Sequence, residues 1–244
     1  MFGMKTPLPM SKSLRVLSAL LSYPDARLRQ HLPEMRDLLH AERALTPSRL
    51  AELDGLINNA GGMVARVTYE NMTEDYFDAV IDLNGRSVIS TTTAAIPHLK
   101  KQGGFIINTT SVAARTGGTA GSGVYGSSKA FVGAVTKGMA LEFGKYAVRV
   151  NAVAPGFVET PILGTIPDKV LEHMREQVPL HRLGKPEEIA NVYAFLASDE
   201  ASYINGAVIE VSGWMTVCPW PAMTAPAAPG WPRPCAASRP MPAA

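Results

Sequence analysis

The chain has 244 residues, enough for one large domain or two small ones, and an apolar content of 46% that is ordinary for a soluble globular fold. Its formal charge of +2 comes from well-mixed residues with no basic block, so composition points to neither nucleic acid nor a membrane surface as partner. The two cysteines, Cys218 and Cys235, sit in a Pro-rich stretch and form neither a disulfide framework nor a metal site, which favours a reducing, cytoplasmic setting.

Residues 1–53 read as a helical segment. Leu14, Leu17, Leu20 and Leu21 recur at helical spacing, Tyr23-Pro24 ends that stretch, and Leu28, Leu32, Met35, Leu38 and Leu39 continue an apolar stripe. The run Val16 to Leu21 follows Lys12 and Arg15 in the manner of a signal peptide. It is short, interrupted by Ser18 and lacks a good cleavage site, and an amphipathic helix describes it better. There is no Gly between Met4 and Asp54, hence no phosphate-cradling loop in that stretch.

The pattern changes near Asp54. Gly55-Leu56-Ile57-Asn58-Asn59 reads as a short strand, as do Phe105 to Asn108, Arg149 to Ala154 and Ala207 to Val211. Helical patterns over about 74–101, 123–145 and 186–197 lie between them. This alternation predicts an α/β fold with a parallel sheet of about four strands flanked by helices. Residues 54–217 form this unit, and 218–244, rich in Pro and Ala without periodicity, read as a disordered tail.

Chemistry concentrates in the middle unit. In Val124-Tyr125-Gly126-Ser127-Ser128-Lys129, Tyr125 and Lys129 lie one helical turn apart, where an ammonium can favour a phenolate and make the Tyr an acid/base. Ser111 ends the strand Ile106-Ile107-Asn108-Thr109-Thr110-Ser111, either as a hydroxyl converging with Tyr125 at the carboxyl edge of the sheet or as a turn cap. Asn59, Ala60 and Gly61 follow a strand directly, as a close approach for a flat ligand or as a plain turn. Asn84, followed by Gly85, interrupts a helical pattern and reads as a kink that frees a carbonyl or as a surface Asn. Pro155-Gly156 closes another strand, with Thr160 shortly after.

Together these pieces resemble the classical short-chain dehydrogenases/reductases, especially members similar to 3-oxoacyl-(acyl carrier protein) reductase. The resemblance runs from about Asp54 to Val217 and also takes in Arg182-Leu183-Gly184-Lys185-Pro186-Glu187-Glu188 and Gly206-Ala207-Val208-Ile209-Glu210-Val211. It implies a partial Rossmann-like sheet, NAD or NADP as cofactor, and a small-molecule carbonyl or alcohol as substrate. By the same resemblance Tyr125 would exchange the proton, Lys129 would lower the Tyr pKa and bind the nicotinamide ribose, Ser111 would polarise the substrate oxygen, and Asn84 would hold a relay water. Asn59, Ala60, Gly61, Pro155, Gly156 and Thr160 would line the cofactor site, and Phe157 to His181 would form the substrate lid. Homo-oligomers through the helices near Asn84 and Tyr125 and through the last strand are implied as well.

The sequence departs from the family in carrying no Thr-Gly-x-x-x-Gly-x-Gly loop, which implies impaired cofactor binding, and about three of the family's strands have no counterpart. The edge of the Gly55 strand is therefore expected to lack a partner. Trp214 stands where the family usually has a second Gly. Leu17-Ser18-Ala19-Leu20-Leu21-Ser22-Tyr23-Pro24 resembles the start of the nitrate reductase assembly chaperones. A chaperone-like binding protein and an inactive fusion product stand as alternatives to the oxidoreductase.

Overall fold

The computed structural model describes residues 16–19 by backbone alone, together with residues 53–160 and 167–214. The stretch 218–244 and both cysteines lie outside the described residues. The described part is an α/β unit built on one parallel sheet of order β1-β2-β3-β4-β5. The strands are β1 (Val16–Ala19), β2 (Gly55–Asn58), β3 (Gly104–Thr109), β4 (Val148–Pro155) and β5 (Val208–Val211). The helices are α1 (Glu74–Ile81), α2 (Ser87–Leu99), α3 (Ala113–Thr116), α4 (Gly123–Phe143), α5 (Asp168–Glu176) and α6 (Pro186–Ala197). Among the described residues no helix is long and apolar enough to cross a membrane.

The helical reading of residues 1–53 is corrected at Val16–Ala19, which is a strand paired in parallel with β2 from Val16 opposite Gly55 to Ala19 opposite Asn58. The expectation of an unpaired β2 edge falls with it. Leucines at helical spacing satisfy a local pattern, but four residues beside an open ladder gain backbone hydrogen bonds that local periodicity does not register. This strand also takes the helical character out of part of the stretch that resembled the assembly chaperones.

Both faces of β2, β3 and β4 are covered, which is why these strands are apolar rather than alternating. Leu56, Ile106, Val148 and Val150 pack beneath α2 and α4 with Ile96, Leu99 and Ala140, all buried. On the other face Phe105, Ile107 and Val153 pack with Leu196 of α6. Gly55 lies directly against the Phe105 ring, so a side chain there would displace that ring. The core also carries a buried polar ladder. Asn58 donates to Asn108 (2.8 Å) and to Thr92 (3.2 Å), and Asn108 donates to Thr136 (2.9 Å). These bonds satisfy two buried amides and tie β2 and β3 to α2 and α4.

The motif Arg182 to Glu188 is a helix start. Pro186 opens α6, and the Glu188 carboxylate accepts from the Lys185 N–H at 2.8 Å while also pairing with Arg182. The Arg182 hydrogen bond, aided by the Lys185 N–H, holds the Glu188 carboxyl down to about 2. Trp214 is exposed and holds φ at 60°, a left-handed conformation that a Gly adopts more readily.

Candidate active site at the carboxyl edge of the sheet

Parallel strands deliver their carboxyl ends to one rim, and β2, β3 and β4 lead there into Asn59, Ser111 and Gly156 respectively. Helix α4 brings Tyr125 and Lys129 to the same rim. Its approach depends on Gly126, where a Cβ would lie 2.9 Å from both the Ala113 carbonyl oxygen and the Gly117 carbonyl carbon. That contact presses the loop after Ser111 onto the first turn of α4.

Burial pushes the Tyr125 pKa up, and the neighbouring Ser111 hydroxyl opposes that rise. The cap reading of Ser111 holds at the same time, since its Oγ accepts from the Ala113 N–H at 3.2 Å. Lys129 is buried, and its Nζ donates to the Thr109 carbonyl at 2.9 Å. Burial lowers its pKa to about 8.

Asn84 is fully buried, so the surface reading is overturned. It lies in a π-helical segment, Asp82–Arg86, that joins α1 to α2. Such wide turns loosen the regular ladder and are common at functional sites. The Asn84 Nδ2 donates to the carbonyls of Gly62 (2.9 Å) and Val80 (3.0 Å), and its Oδ1 accepts from the Gly62 N–H (3.0 Å). Gly61 fits between these groups, because a Cβ there would lie 2.6 Å from both Asn84 Oδ1 and Lys129 Nζ. Asn59, Gly61, Asn84 and Lys129 thus form one connected cluster, with Thr109 joining Asn59 to Lys129, and Tyr125 with Ser111 beside it lies one helical turn from Lys129.

Ala60 is buried beside that cluster. Gly156 packs on Ser212, where an added Cβ would lie only 2.8 Å from Ser212 Cα, and its N–H donates to the Val211 carbonyl. The Pro155 carbonyl accepts from the Val112 N–H, which ties β4 to the residue following Ser111. Thr160 is exposed at the end of a described stretch, with no hydrogen bond to the Tyr125 group. Residues 161–166 of the expected lid lie outside the described residues, while α5 follows them and an isolated bridge pairs Val158 with Gly184.

Three contributors escaped the sequence reading. Gly126 was legible in principle, because a Gly inside a long helix signals a close approach. Thr109 and Tyr193 were not, because their 2.6 Å contact spans 84 residues of chain.

The family profile described as Enoyl-(Acyl carrier protein) reductase matches residues 40–216. A 3alpha-hydroxysteroid dehydrogenase of Mediterraneibacter gnavus is 37% identical over 194 residues, covering 78% of this chain and 77% of that protein. A 3-oxoacyl-(acyl-carrier-protein) reductase of Thermotoga maritima is 42% identical over 170 residues, covering 69% and 68%. Among solved structures, a 3-oxoacyl-(acyl-carrier protein) reductase from Brucella melitensis superposes with a TM-score of 0.63 at 32% identity, over 66% of this chain and 62% of that one.

Proposed function

We propose, from the premise that this chain belongs to the short-chain dehydrogenase/reductase family, that it catalyses NAD(P)-dependent interconversion of a carbonyl and a secondary alcohol on a small molecule, with 3-oxoacyl-thioester-like compounds as the first substrates to try. The observation that carries this reading is the Tyr125 phenol beside the Ser111 hydroxyl, one helical turn from the buried Lys129 that is held by the Thr109 carbonyl.

The cluster fits the nicotinamide-ribose half of a dinucleotide. Lys129 Nζ keeps N–H groups beyond the one given to Thr109, and Gly61 leaves the space before it open to no side chain of its own. When bound, the cofactor supplies or accepts the hydride. In the reducing direction Ser111 and Tyr125 both donate to the substrate oxygen. As negative charge builds on that oxygen, the Tyr125 proton transfers to it, so the carbon gains hydride and the oxygen gains a proton. Lys129 then holds positive charge near the phenolate, and the π-helical turn at Asn84 offers a carbonyl for a water that returns the proton. Pro155, Gly156 and Thr160 are assigned to the nicotinamide end, and 54–217 to the catalytic unit, its sheet extended by β1.

The adenosine side rests on a different footing, because residues 20–52 contain no Gly to bring backbone N–H groups onto a pyrophosphate. We expect weak but saturable binding of NADH or NADPH, at or below about 1 mM. Titration followed by nicotinamide fluorescence measures it, and the absence of saturation with both nucleotides would refute the enzyme reading.

Self-association is the second part of the proposal. A groove of about 340 Å³ between α2 and α4 is lined by Ile89, Ile96, Met139 and Phe143, and Phe131, Leu141 and Val208 are exposed on α4 and β5. The protein is expected to elute as a dimer or tetramer in size-exclusion chromatography; a monomer at all concentrations would remove this assignment.

A further inference from the structure

We propose that Tyr193 is a positioning residue which, through the Thr109 hydroxyl, fixes the Asn59 carboxamide as a hydrogen-bond donor to an oxygen of the bound dinucleotide. The inference rests on the cofactor reading above and adds to it residues on the α6 side of the sheet.

Thr109 ends β3 with its side chain on the face covered by α6. Its hydroxyl donates to Asn59 Oδ1 at 2.9 Å and lies 2.6 Å from the Tyr193 hydroxyl. A Thr hydroxyl has a single proton, so with that proton on Asn59 the contact at 2.6 Å requires Tyr193 to donate. A phenol is a stronger donor and a weaker acceptor than an aliphatic alcohol, which favours the same polarity. The chain of donation therefore runs Tyr193 to Thr109 to Asn59. Burial pushes the Tyr193 pKa up, which keeps the phenol protonated and able to donate.

The consequence falls on Asn59. Its Oδ1 is engaged by Thr109, and its Nδ2 makes no hydrogen bond among the described residues. Asn59 is half-buried, and its amide is not a sealed, unsatisfied group. The arrangement thus presents an N–H pair with a fixed direction at the rim. The same Thr109 anchors Lys129 through its carbonyl at 2.9 Å, so one residue sets both the amide and the ammonium. Among the described residues Tyr193 hydrogen-bonds to neither Lys129 nor Tyr125, and its influence passes through Thr109.

The test is NADH and NADPH titration by nicotinamide fluorescence on the full chain, with melting midpoints and steady-state kinetics alongside. Tyr193→Phe is expected to weaken binding about fivefold, the scale of one neutral hydrogen bond, and to raise the dinucleotide KM by the same factor, with kcat held within about twofold. Thr109→Ser, which keeps the hydroxyl, is expected to bind like the native chain, whereas Thr109→Val shows the loss. Adding Tyr193→Phe to Asn59→Ala is expected to cost nothing further, since both act through one amide. Native-like affinity in Tyr193→Phe, or losses that multiply in the double variant, would overturn the inference while leaving the functional reading intact. Should Tyr193→Phe fail to fold, equal affinity in Thr109→Ser and Thr109→Val overturns it instead. No binding by the native protein would overturn the cofactor reading and this inference together.

Discussion

Replacing Tyr125 by Phe is expected to lower carbonyl reduction by about 10³-fold while leaving NADH or NADPH affinity within about threefold of native, because positioned proton transfer contributes roughly 10²–10⁴ to a rate. The phenol oxygen is the only atom removed, and the ring keeps its place against Tyr76, Val80 and Val124. Ser111 retains the Ala113 N–H, so its hydroxyl is not stranded and the fold is preserved. Without the phenol no other acid in the cluster reaches the substrate oxygen except Ser111, a far weaker proton donor. Ser111→Ala carries a second signature. The Ser111 hydroxyl opposes the burial-driven rise of the Tyr125 pKa, so its loss is expected to move the basic limb of the pH–rate profile to higher pH. Steady-state rates with a 3-oxoacyl thioester and other small ketones measure both effects. Turnover retained in Tyr125→Phe would remove Tyr125 from its assigned role.

The parts of this molecule that were legible in its sequence are those whose cause is local. β3 and β4 are buried on both faces, so their apolar runs announced them to within two residues at either end. α4 and α6 carry helical periodicity, and α6 adds a Pro start with Glu188 behind it. Asn84-Gly85 marked an interruption, although its π-helical form and the bonds to Gly62 depend on a loop 22 residues earlier. β1 failed for a physical reason. Its Leu17 belongs to a leucine spacing from Leu14 to Leu21 that suits a helix, and only the open edge of β2 makes the four residues a strand. The site behaves the same way. Tyr125, Lys129 and Ser111 were readable because helical spacing and strand-end position fix them. The Tyr193–Thr109–Asn59 chain was not, since it is assembled by α6 crossing the opposite face of the sheet.

Lys129→Met is expected to trade function for stability, and pH exposes the exchange. In the folded chain burial depresses the Lys129 pKa from 10.5 to about 8. The unfolded chain therefore holds more protons at this position between pH 8 and 10.5, and native stability rises with pH across that window. Below pH 8 the buried ammonium carries its full cost, an upper bound of about 3 kcal/mol at roughly 1.4 kcal/mol per pKa unit. Methionine fills nearly the same volume without charge, so that cost vanishes, offset by about 1–2 kcal/mol for the Thr109 carbonyl left without its donor. Urea denaturation at pH 7 is thus expected to find the variant about 1–2 kcal/mol more stable, with the native slope between pH 8 and 10.5 reduced by the Lys129 contribution. Dinucleotide binding runs the opposite way. In the native chain it declines as pH passes about 8 and the ammonium loses its charge, and in Lys129→Met it is weak throughout. Other lysines and tyrosines titrate in the same range, but they are common to both proteins, so the difference between the two curves isolates Lys129. Identical pH slopes in native and Met chains would show that this amine titrates as it would in water, and the buried cation would lose its place beside the ribose.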